Sequence, residues 1–265
     1  MKKPVVIIGI GEIGGVFARG LLRSSHPLIP VNRSDNIEQL ASQYPDPEAV
    51  LLTVAETDLY QGLVTVPSPW RDRLCLFQNE LLPRDWQEHD IPSPTVMSVW
   101  FEKKPGMDTK PVVASPVFGP HADLICEALQ ALDIPVVKID SVEALLFELV
   151  RKNLYILTTN IAGLVTGGNV AELWQNHRTL AIEVAEDVLQ LQSWLTGENL
   201  DNKALIAAML QAFEGDPQHG CTGRSAASRL QRALQLADDA CLELHTLRRI
   251  QAEQKVLVLD VLAHG

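Results

Sequence analysis

The sequence Val5-Val6-Ile7-Ile8-Gly9-Ile10-Gly11-Glu12-Ile13-Gly14-Gly15 decides which fold this chain adopts. A short β-branched run leads into the spacing G-x-G-x-x-G, and a segment of helical period follows and ends near Arg23. In a strand, loop and helix of this kind, Gly9 permits the tight turn, Gly11 lets the backbone approach a pyrophosphate, and Gly14 lets the helix pack closely on the strand. The N–H groups at the start of the helix bind the pyrophosphate charge. The stretch therefore predicts a dinucleotide-binding loop, although the same spacing also occurs in glycine-rich turns of other α/β proteins.

The end of the second apolar run, at residues 28–31, predicts the type of dinucleotide. An NAD site usually places a carboxylate against the ribose 2′-hydroxyl, whereas an NADP site places a cation against the 2′-phosphate. Here the run is followed by Asn32-Arg33-Ser34, which offers a cation and no acid at the strand tip. We therefore expect NADP. The alternative is that Arg33 is an exposed loop arginine that Asp35 partly neutralises.

Two parts of the chain differ in their hydrophobic period. Up to residue 140, short apolar runs alternate with helical segments, which is typical of a parallel sheet with helices as crossovers. These runs are residues 5–8, 28–31, 50–54, 74–77, 96–101, 112–114 and 136–139. From Ser141 onward Pro217 is the only proline, and apolar residues recur at helical spacing over residues 142–165, 170–195, 202–213 and 224–257. The pattern predicts an α/β protein, with an N-terminal Rossmann domain (a doubly wound parallel sheet) at residues 1–140 and an all-helical domain at 141–265.

Composition limits the partners that this chain can have. The net charge of −11 argues against nucleic acid and against an anionic membrane surface, because both need a basic surface. No apolar run reaches the roughly 18 residues of a membrane span, and the first run is too short for a signal peptide. The four cysteines have no CxxC spacing, and no other cluster has the spacing of metal ligands. We therefore expect a cytoplasmic protein with reduced thiols and no bound metal.

Three segments taken together resemble one enzyme family. The glycine loop, the segment Leu76-Phe77-Gln78-Asn79-Glu80, and residues 149–173 are similar to ketopantoate reductase (2-dehydropantoate 2-reductase), within the 6-phosphogluconate-dehydrogenase-like superfamily. The resemblance runs in order along nearly the whole chain. It implies a Rossmann domain followed by an all-helical domain, with NADPH and a 2-keto acid bound in the cleft between them. It also implies reduction of the 2-keto acid to a 2-hydroxy acid.

The resemblance assigns roles to individual residues. Lys152 occupies the position of the catalytic lysine, and Asn79 that of an asparagine beside the nicotinamide and the substrate. Asn160 matches a second substrate-side asparagine, and Ser228, in Ser228-Arg229-Leu230-Gln231, matches a substrate-binding serine. With the loop and the strand tip, the expected cofactor-binding residues are Gly9, Ile10, Gly11, Glu12, Ile13, Gly14, Asn32, Arg33 and Asn79.

The chain also departs from the family pattern. Ala55, Ile156 and Ala240 stand where the family has a lysine, an asparagine and a glutamate, and Glu80 replaces a glycine. Because three polar positions near the substrate are lost, the sequence leaves the substrate open. His219, in the loop before the segment that carries Ser228, is either a substrate-side residue or an incidental loop histidine.

The segment that begins at residue 142 can be interpreted without the family. Its apolar residues fall on one helical face, and Asn153 and Asn160 lie near the middle of that face. A buried carboxamide needs a partner, which is backbone, water or a ligand. Lys152 lies at the edge of the same face, where apolar surroundings would lower its pKa from about 10.4 toward a range useful for proton transfer. The alternative is a lysine whose stem covers apolar surface.

These observations lead to one main hypothesis and two alternatives. We expect an NADP-dependent oxidoreductase that acts on a CH–OH group and reduces a small 2-keto acid or related carbonyl. Lys152 would donate the proton, while Asn79, Asn160 and Ser228 would orient the substrate. The alternatives are a catalytically weak NADP-binding protein and an imine or opine-type reductase of the same superfamily. The helical domain is expected to bind substrate and to form a homodimer.

Overall fold

The computed structural model describes residues 2–264, with side chains described as far as Lys255. Its contacts divide the chain into two compact units, residues 1–149 (the first unit) and 150–265 (the second unit). The boundary between the units falls inside a long helix, whereas the sequence pattern places the domain boundary at 140, just before that helix. The division into functional domains at residue 140 stays a prediction.

The first unit is built on a seven-stranded sheet. Its strands are β1 (Val5–Ile8), β2 (Leu28–Val31), β3 (Ala49–Leu52), β4 (Leu74–Leu76), β5 (Thr95–Met97), β8 (Ser115–Phe118) and β9 (Val136–Lys138), in the spatial order β2-β1-β3-β4-β5-β8-β9. Two further strands, β6 (Phe101–Glu102) and β7 (Lys110–Pro111), form a separate antiparallel ribbon. All neighbours in the large sheet are parallel except β5 and β8. The predicted α/β class with a mostly parallel sheet is confirmed.

The helices of the first unit pack on the buried sheet. They are α1 (Glu12–Arg23), α2 (Ile37–Gln43), α3 (Leu59–Thr65), α4 (Pro83–Gln87) and α5 (Ala122–Gln130). Val5, Val6 and Ile7 of β1 are fully buried, as expected for a parallel strand covered on both faces. Helices α1 and α5 approach so closely that a Cβ at Gly20 would lie 2.0 Å from the carbonyl oxygen of Ala128.

Two predicted strands differ from the observed ones. The run at 96–101 is divided between β5 and β6, and the run at 112–114 lies between β7 and β8. One pair of neighbouring strands departs from the parallel arrangement, because β8 runs antiparallel to β5. The segment between β5 and β8 is occupied by the small ribbon and has no crossover helix. Because parallel neighbours need such a crossover, the chain returns in the opposite direction.

The second unit is helical, as predicted. Its helices are α6 (Val142–Thr166), α7 (Val170–Asn176), α8 (Arg178–Thr196), α9 (Asn202–Gly215), α10 (Ala226–Asp239) and α11 (His245–His264), and α6 begins in the first unit. The predicted helical segments at 170–195 and 224–257 are each divided in two, by His177 and by residues 240–244. Between α10 and α11, Cys241 and Leu244 have positive φ angles, so the chain leaves the helical conformation after α10 and turns before α11 begins. Within residues 2–264, no helix has the length and apolar character needed to cross a membrane.

A buried carboxylate holds α8 and α11 together. Asp187 is 7% exposed and accepts hydrogen bonds from the backbone N–H groups of Thr246 (2.8 Å) and Leu247 (3.0 Å). These N–H groups belong to the first turn of α11, where a helix lacks internal acceptors and where its dipole favours a negative charge. The contact therefore joins the middle of α8 to the start of α11.

Candidate nucleotide-binding and active site

The loop between β1 and α1 needs glycine at two positions because of its own geometry. Gly9 has a φ of 92°, which side-chain-bearing residues rarely adopt. A Cβ at Gly14 would lie 2.3 Å from the carbonyl oxygen of Gly9 and 2.7 Å from Oγ1 of Thr53. At Gly11, by contrast, an added Cβ would meet no atom of the described chain within 4 Å. Gly9 and Gly14 therefore shape the loop, and the open space at Gly11 leaves room for a ligand to approach the backbone.

Thr53 secures this loop from the neighbouring strand. It follows β3, and its Oγ1 donates to the carbonyl oxygen of Gly9 at 2.6 Å and is 3.2 Å from that of Ile8. The sequence analysis did not single out this residue, because its role depends on β3 lying beside β1. The threonine hydroxyl thus holds the turn that precedes α1.

A cavity of about 510 Å³ lies beside the loop. Its wall includes Gly9, Ile10 and Gly11 from the loop, Asn32 and Arg33 from the tip of β2, and Val54 and Ala55 from the segment after β3. It therefore opens at the carboxyl ends of β1, β2 and β3, where the strand order reverses and where doubly wound folds bind nucleotides. The volume is in the range of small-molecule sites. The structure thus brings five of the predicted cofactor residues to one cavity.

The remaining loop residues lie in α1. Gly14 is buried behind the loop, Ile13 is half-buried, and Glu12 begins the helix. A carboxylate in this first turn would repel a pyrophosphate, but Glu12 forms an ion pair with Lys103, whose Nζ is 3.0 Å from Oε2. Lys103 is 13% exposed and was not identified from the sequence. Its charge offsets that of Glu12 beside the glycine loop.

A cation and two carboxylates lie near the tip of β2. Arg33 is 96% exposed, and its Nη2 lies 3.3 Å from Oδ2 of Asp58. Asp35 instead accepts hydrogen bonds from the backbone N–H (2.7 Å) and Nδ2 (3.2 Å) of Asn32. The neutralising partner of Arg33 is thus Asp58, not Asp35 as the sequence alternative had it. Since an exposed pair of this kind is worth only about 0–1 kcal/mol, a bound phosphate can displace it.

Asn79 follows a strand end that is fixed by its neighbour Gln78. The side chain of Gln78 is buried, and its Nε2 donates to the carbonyl oxygens of Leu52 (2.7 Å) and Val54 (3.2 Å). These bonds join the end of β4 to the end of β3. Asn79 is half-buried directly after this point. Gln78 therefore has a structural role that places Asn79 at the same edge of the sheet as the glycine loop.

Glu80 adopts a backbone conformation that favours glycine. Its φ is 62°, in the left-handed region, which costs a residue with a Cβ about 1–2 kcal/mol. The turn after Asn79 therefore carries a local energetic cost.

We expect Glu80→Gly to be more stable than Glu80→Ala by about 1 kcal/mol, because only glycine relieves the backbone strain. Both variants lose the contacts of the glutamate side chain, so the difference between their stabilities measures the backbone strain alone. Denaturant unfolding monitored by tryptophan fluorescence measures the difference. Equal stability of the two variants would show that the turn is not strained.

Lys152 lies on α6 in surroundings that favour its neutral form. The side chain is half-buried, and its Nζ is 5.8 Å from the centroid of the Tyr155 ring. Burial lowers the pKa of Lys152 to about 7, and the nearby charges of Arg229 and Arg151 act in the same direction. The sequence predicts that apolar surroundings lower the pKa of Lys152. The positive charges of the two arginines are a second cause, which the sequence does not reveal. A pKa near the working pH suits a proton donor.

The two asparagines of α6 have different partners. Asn153 is 2% exposed and donates to Oε1 of Gln192 at 3.0 Å, which is a contact within the helical core. Asn160 is 7% exposed, and its Oδ1 accepts a hydrogen bond of 2.7 Å from Nη1 of Arg229. Each carboxamide predicted to be buried is therefore buried and hydrogen-bonded to a side chain. Asn153 is a structural residue, whereas Asn160 is joined to a charged group.

Ser228 and Ala240 lie at the two ends of α10. Ser228 is exposed, and its hydroxyl donates to the carbonyl oxygen of Ser225 at 2.9 Å. Asn160 is hydrogen-bonded to Arg229, the residue after Ser228. One step along a helix turns a side chain by about 100°, so Ser228 points in a different direction from Arg229. Ala240 directly follows the helix. The substrate roles of Asn79, Asn160 and Ser228 stay predictions.

His219 lies close to the same part of α6. Its ring centroid is 6.0 Å from that of Tyr155, and its Nδ1 is 3.8 Å from Oδ2 of the buried Asp216. Within the part of the chain that the structure describes, no three His, Cys, Asp or Glu side chains are grouped as metal ligands. The chemistry available around Lys152 is therefore that of amines, guanidinium groups, amides and an imidazole.

The comparisons with known proteins extend these observations. No family model matches the chain, and no curated protein matches it. Among solved structures, 2-dehydropantoate 2-reductase from Methylococcus capsulatus has a TM-score of 0.69 at 12% identity, over 97% of each chain. A dimeric ketopantoate reductase from Staphylococcus aureus has a TM-score of 0.60 at 15% identity, over 96% of this chain and 98% of the other. A D-mandelate dehydrogenase solved with NADH has a TM-score of 0.66 at 12% identity, over 93% and 96%.

These likenesses concern the fold. At identities of 12–15% they establish that the chain is folded like ketopantoate reductases along nearly its whole length. The resemblance found in the sequence is thereby confirmed at the level of the fold, as expected of a divergent chain.

Proposed function

We propose that this protein binds NADPH at the glycine loop and reduces a small 2-keto acid or related carbonyl to the hydroxy compound. One observation carries the proposal: the cavity at the ends of β1, β2 and β3 is lined by the glycine loop and by Arg33, in a chain folded like ketopantoate reductases. The likeness to a D-mandelate dehydrogenase supports the same class of chemistry, since mandelate is a 2-hydroxy acid.

The residues of the first unit fit a dinucleotide phosphate. The backbone at Gly11 is open to a ligand, and the N–H groups at the start of α1 suit a pyrophosphate. Arg33 suits a 2′-phosphate. On binding the phosphate, its guanidinium would exchange the ion pair with Asp58 for one with the phosphate. Asn79 would hydrogen-bond near the nicotinamide. When bound, this cofactor supplies a hydride for the carbonyl carbon.

Lys152 supplies the proton in this proposal. As the ammonium ion, it donates a proton from Nζ to the carbonyl oxygen and stabilises the negative charge that develops there. The resulting amine takes up a proton from solvent, which a pKa of about 7 allows at neutral pH. Asn160 and Ser228 would hold the substrate in place by hydrogen bonds.

A panel of 2-keto acids tests the proposal. NADPH oxidation is followed at equal enzyme concentration with each acid, and then with each acid plus ammonia or a primary amine. We expect oxidation with at least one acid alone. Tight NADPH binding without oxidation in either series would favour a catalytically weak NADP-binding protein. The reason to consider this alternative is the loss of polar groups at Ala55, Ile156 and Ala240. Oxidation that requires the amine would favour an imine reductase.

Arg33 should set the preference between the two dinucleotides. We expect Arg33→Gln to weaken NADPH binding by about 10- to 100-fold, because a charge-assisted hydrogen bond to the phosphate is lost. NADH binding should stay unchanged. Asp58→Asn is the matched variant: it removes the competing partner of Arg33 and should tighten NADPH binding by up to about fivefold. Equal dissociation constants of the unmodified protein for NADPH and NADH, measured by fluorescence titration, would contradict the NADP assignment.

We also propose a homodimer that works in the cytoplasm. The dimeric state of the ketopantoate reductase from Staphylococcus aureus supports the first part, and the absence of disulfides among the four cysteines agrees with the second. Light scattering coupled to gel filtration measures the oligomeric state.

A further inference from the structure

The ribbon of β6 and β7 carries a lysine to the start of α1. Lys103 directly follows β6, and its Nζ lies 3.0 Å from Oε2 of Glu12, the first residue of α1. The same Nζ donates a hydrogen bond of 2.7 Å to the carbonyl oxygen of Lys104. The side chain of Lys103 is 13% exposed, whereas that of Lys104 is 59% exposed and pairs with Glu102. Lys103 is therefore held beside the glycine loop, while its neighbour faces solvent.

The base of the ribbon is anchored in the core, which fixes the position of this lysine. Phe101 in β6 is 6% exposed and belongs to the same hydrophobic cluster as Phe17 of α1. The backbone N–H of Trp100, directly before β6, donates to Oγ of Ser115 at 2.9 Å. The ribbon and α1 thus share one core, so the ammonium group of Lys103 is positioned at the loop before a ligand binds.

The charges along the cavity show where a further cation would be useful. Among the described residues that line it, Arg33 is the only lysine or arginine, and it lies at the tip of β2. Asp35 and Asp58 belong to the same wall. A dinucleotide also carries negative charge on its pyrophosphate, which would lie at the glycine loop and the first turn of α1. Lys103 reaches this turn from the ribbon.

The carboxylate of Glu12 occupies the place of an anion at this turn. A negative charge at the first helical residue is stabilised by the helix dipole, and the same dipole favours a pyrophosphate. In the free protein, an oxygen of Glu12 therefore stands in for a ligand oxygen at 3.0 Å from Nζ of Lys103. Glu12 is 42% exposed, and an ion pair with so exposed a partner is weak. The carboxylate can thus turn toward solvent when a phosphate oxygen takes its place.

We propose that Lys103 binds the pyrophosphate of the dinucleotide and that Glu12 competes with this ligand for the same ammonium group. The inference rests on the proposed function for the identity of the ligand. It deepens that function by adding a binding residue from outside the glycine loop, together with a competitor built into the loop itself. Because NADPH and NADH share the pyrophosphate, Lys103 contributes to the affinity for both, whereas Arg33 separates them.

Calorimetric titration of the full chain with NADPH, NADH and ADP-ribose tests the proposal. ADP-ribose contains the pyrophosphate but neither the nicotinamide nor the 2′-phosphate. We expect Lys103→Met to weaken the binding of all three ligands by about tenfold, because a charge-assisted hydrogen bond is lost. Glu12→Gln should tighten the binding of all three by up to about fivefold, since it removes the competitor. The melting temperature of each variant checks that it folds.

Lys104→Met is the matched control, because it removes the same charge from the next residue. This variant should bind the three ligands as the unmodified protein does. The double variant Glu12→Gln/Lys103→Met should bind them about tenfold more weakly than Glu12→Gln alone. Equal affinities of these two variants would mean that Lys103 only neutralises Glu12, and would overturn the inference. An effect of Lys103→Met on NADPH and NADH that is absent with ADP-ribose would overturn it as well.

Turnover separates this inference from the proposed function. NADPH binding that depends on Lys103, without NADPH oxidation by any keto acid, would refute the proposed reduction and leave the role of Lys103 standing. Oxidation of NADPH by a keto acid, with unchanged affinity for all three ligands in a folded Lys103→Met variant, would refute the role of Lys103 and leave the reduction standing.

Discussion

Lys152→Ala should lower the rate of NADPH-dependent reduction by about 10²- to 10⁴-fold, which is the usual contribution of a positioned proton donor. NADPH binding should stay unchanged, because the cofactor residues of the proposal lie in the glycine loop and the strand tips. Stopped-flow measurement of NADPH oxidation at saturating substrate gives the rate. Lys203→Ala, which removes an exposed lysine from α9, is the control and should keep full activity.

The pH dependence gives an independent check on the same residue. The ammonium form is the proton donor, and the pKa of Lys152 is lowered to about 7. The rate of reduction should therefore fall as the pH rises through about 7. A rate that stays constant from pH 6 to pH 9, or full turnover by Lys152→Ala, would exclude Lys152 as the proton donor.

Gly14→Ala should impair both the stability of the protein and its binding of NADPH. The added methyl would lie 2.3 Å from the carbonyl oxygen of Gly9, and a backbone atom cannot move aside as a flexible side chain can. We expect a loss of about 1–3 kcal/mol in stability and a loss of more than about tenfold in NADPH affinity, because the loop and α1 must separate. Thermal unfolding and fluorescence titration measure the two effects.

The neighbouring glycine provides a control for this variant. A Cβ at Gly15 would meet no atom of the described residues within 4 Å. Gly15→Ala should therefore bind NADPH normally and gain up to about 1 kcal/mol in stability from better helix propensity. If both variants behaved alike, close packing at Gly14 would not be the reason for its glycine.

The parts of the structure that follow from local sequence were predictable. The glycine loop, β1 and β2 depend on a run of β-branched residues and on the spacing of Gly9, Gly11 and Gly14, all within neighbouring positions. The burial of Asn160 follows from helical period alone. The backbone at Glu80 was not predictable in the same way, because the replacement of a glycine put the local turn in doubt, and only the structure shows that the residue is left-handed.

The contacts that depend on packing between distant elements were not predictable. Asp58 contacts Arg33 from 25 residues away because β2 and β3 flank β1, so that their carboxyl ends lie at the same edge of the sheet. Arg229 reaches Asn160 from 69 residues away because α10 packs near α6. Neither the hydrophobic period nor a motif in a single sequence indicates which arginine is hydrogen-bonded to which amide. The apolar residues of β8 do not indicate its direction either. The strand is antiparallel to β5 because no crossover helix lies between the two strands.

Deuterium transfer tests the central claim most directly. The unmodified protein is incubated with NADPH deuterated at both C4 positions and with the panel of 2-keto acids, and the products are analysed by mass spectrometry. The account predicts a 2-hydroxy acid that carries one deuterium on the former carbonyl carbon. Absence of labelled hydroxy acid from every member of the panel, with NADPH bound, would contradict it.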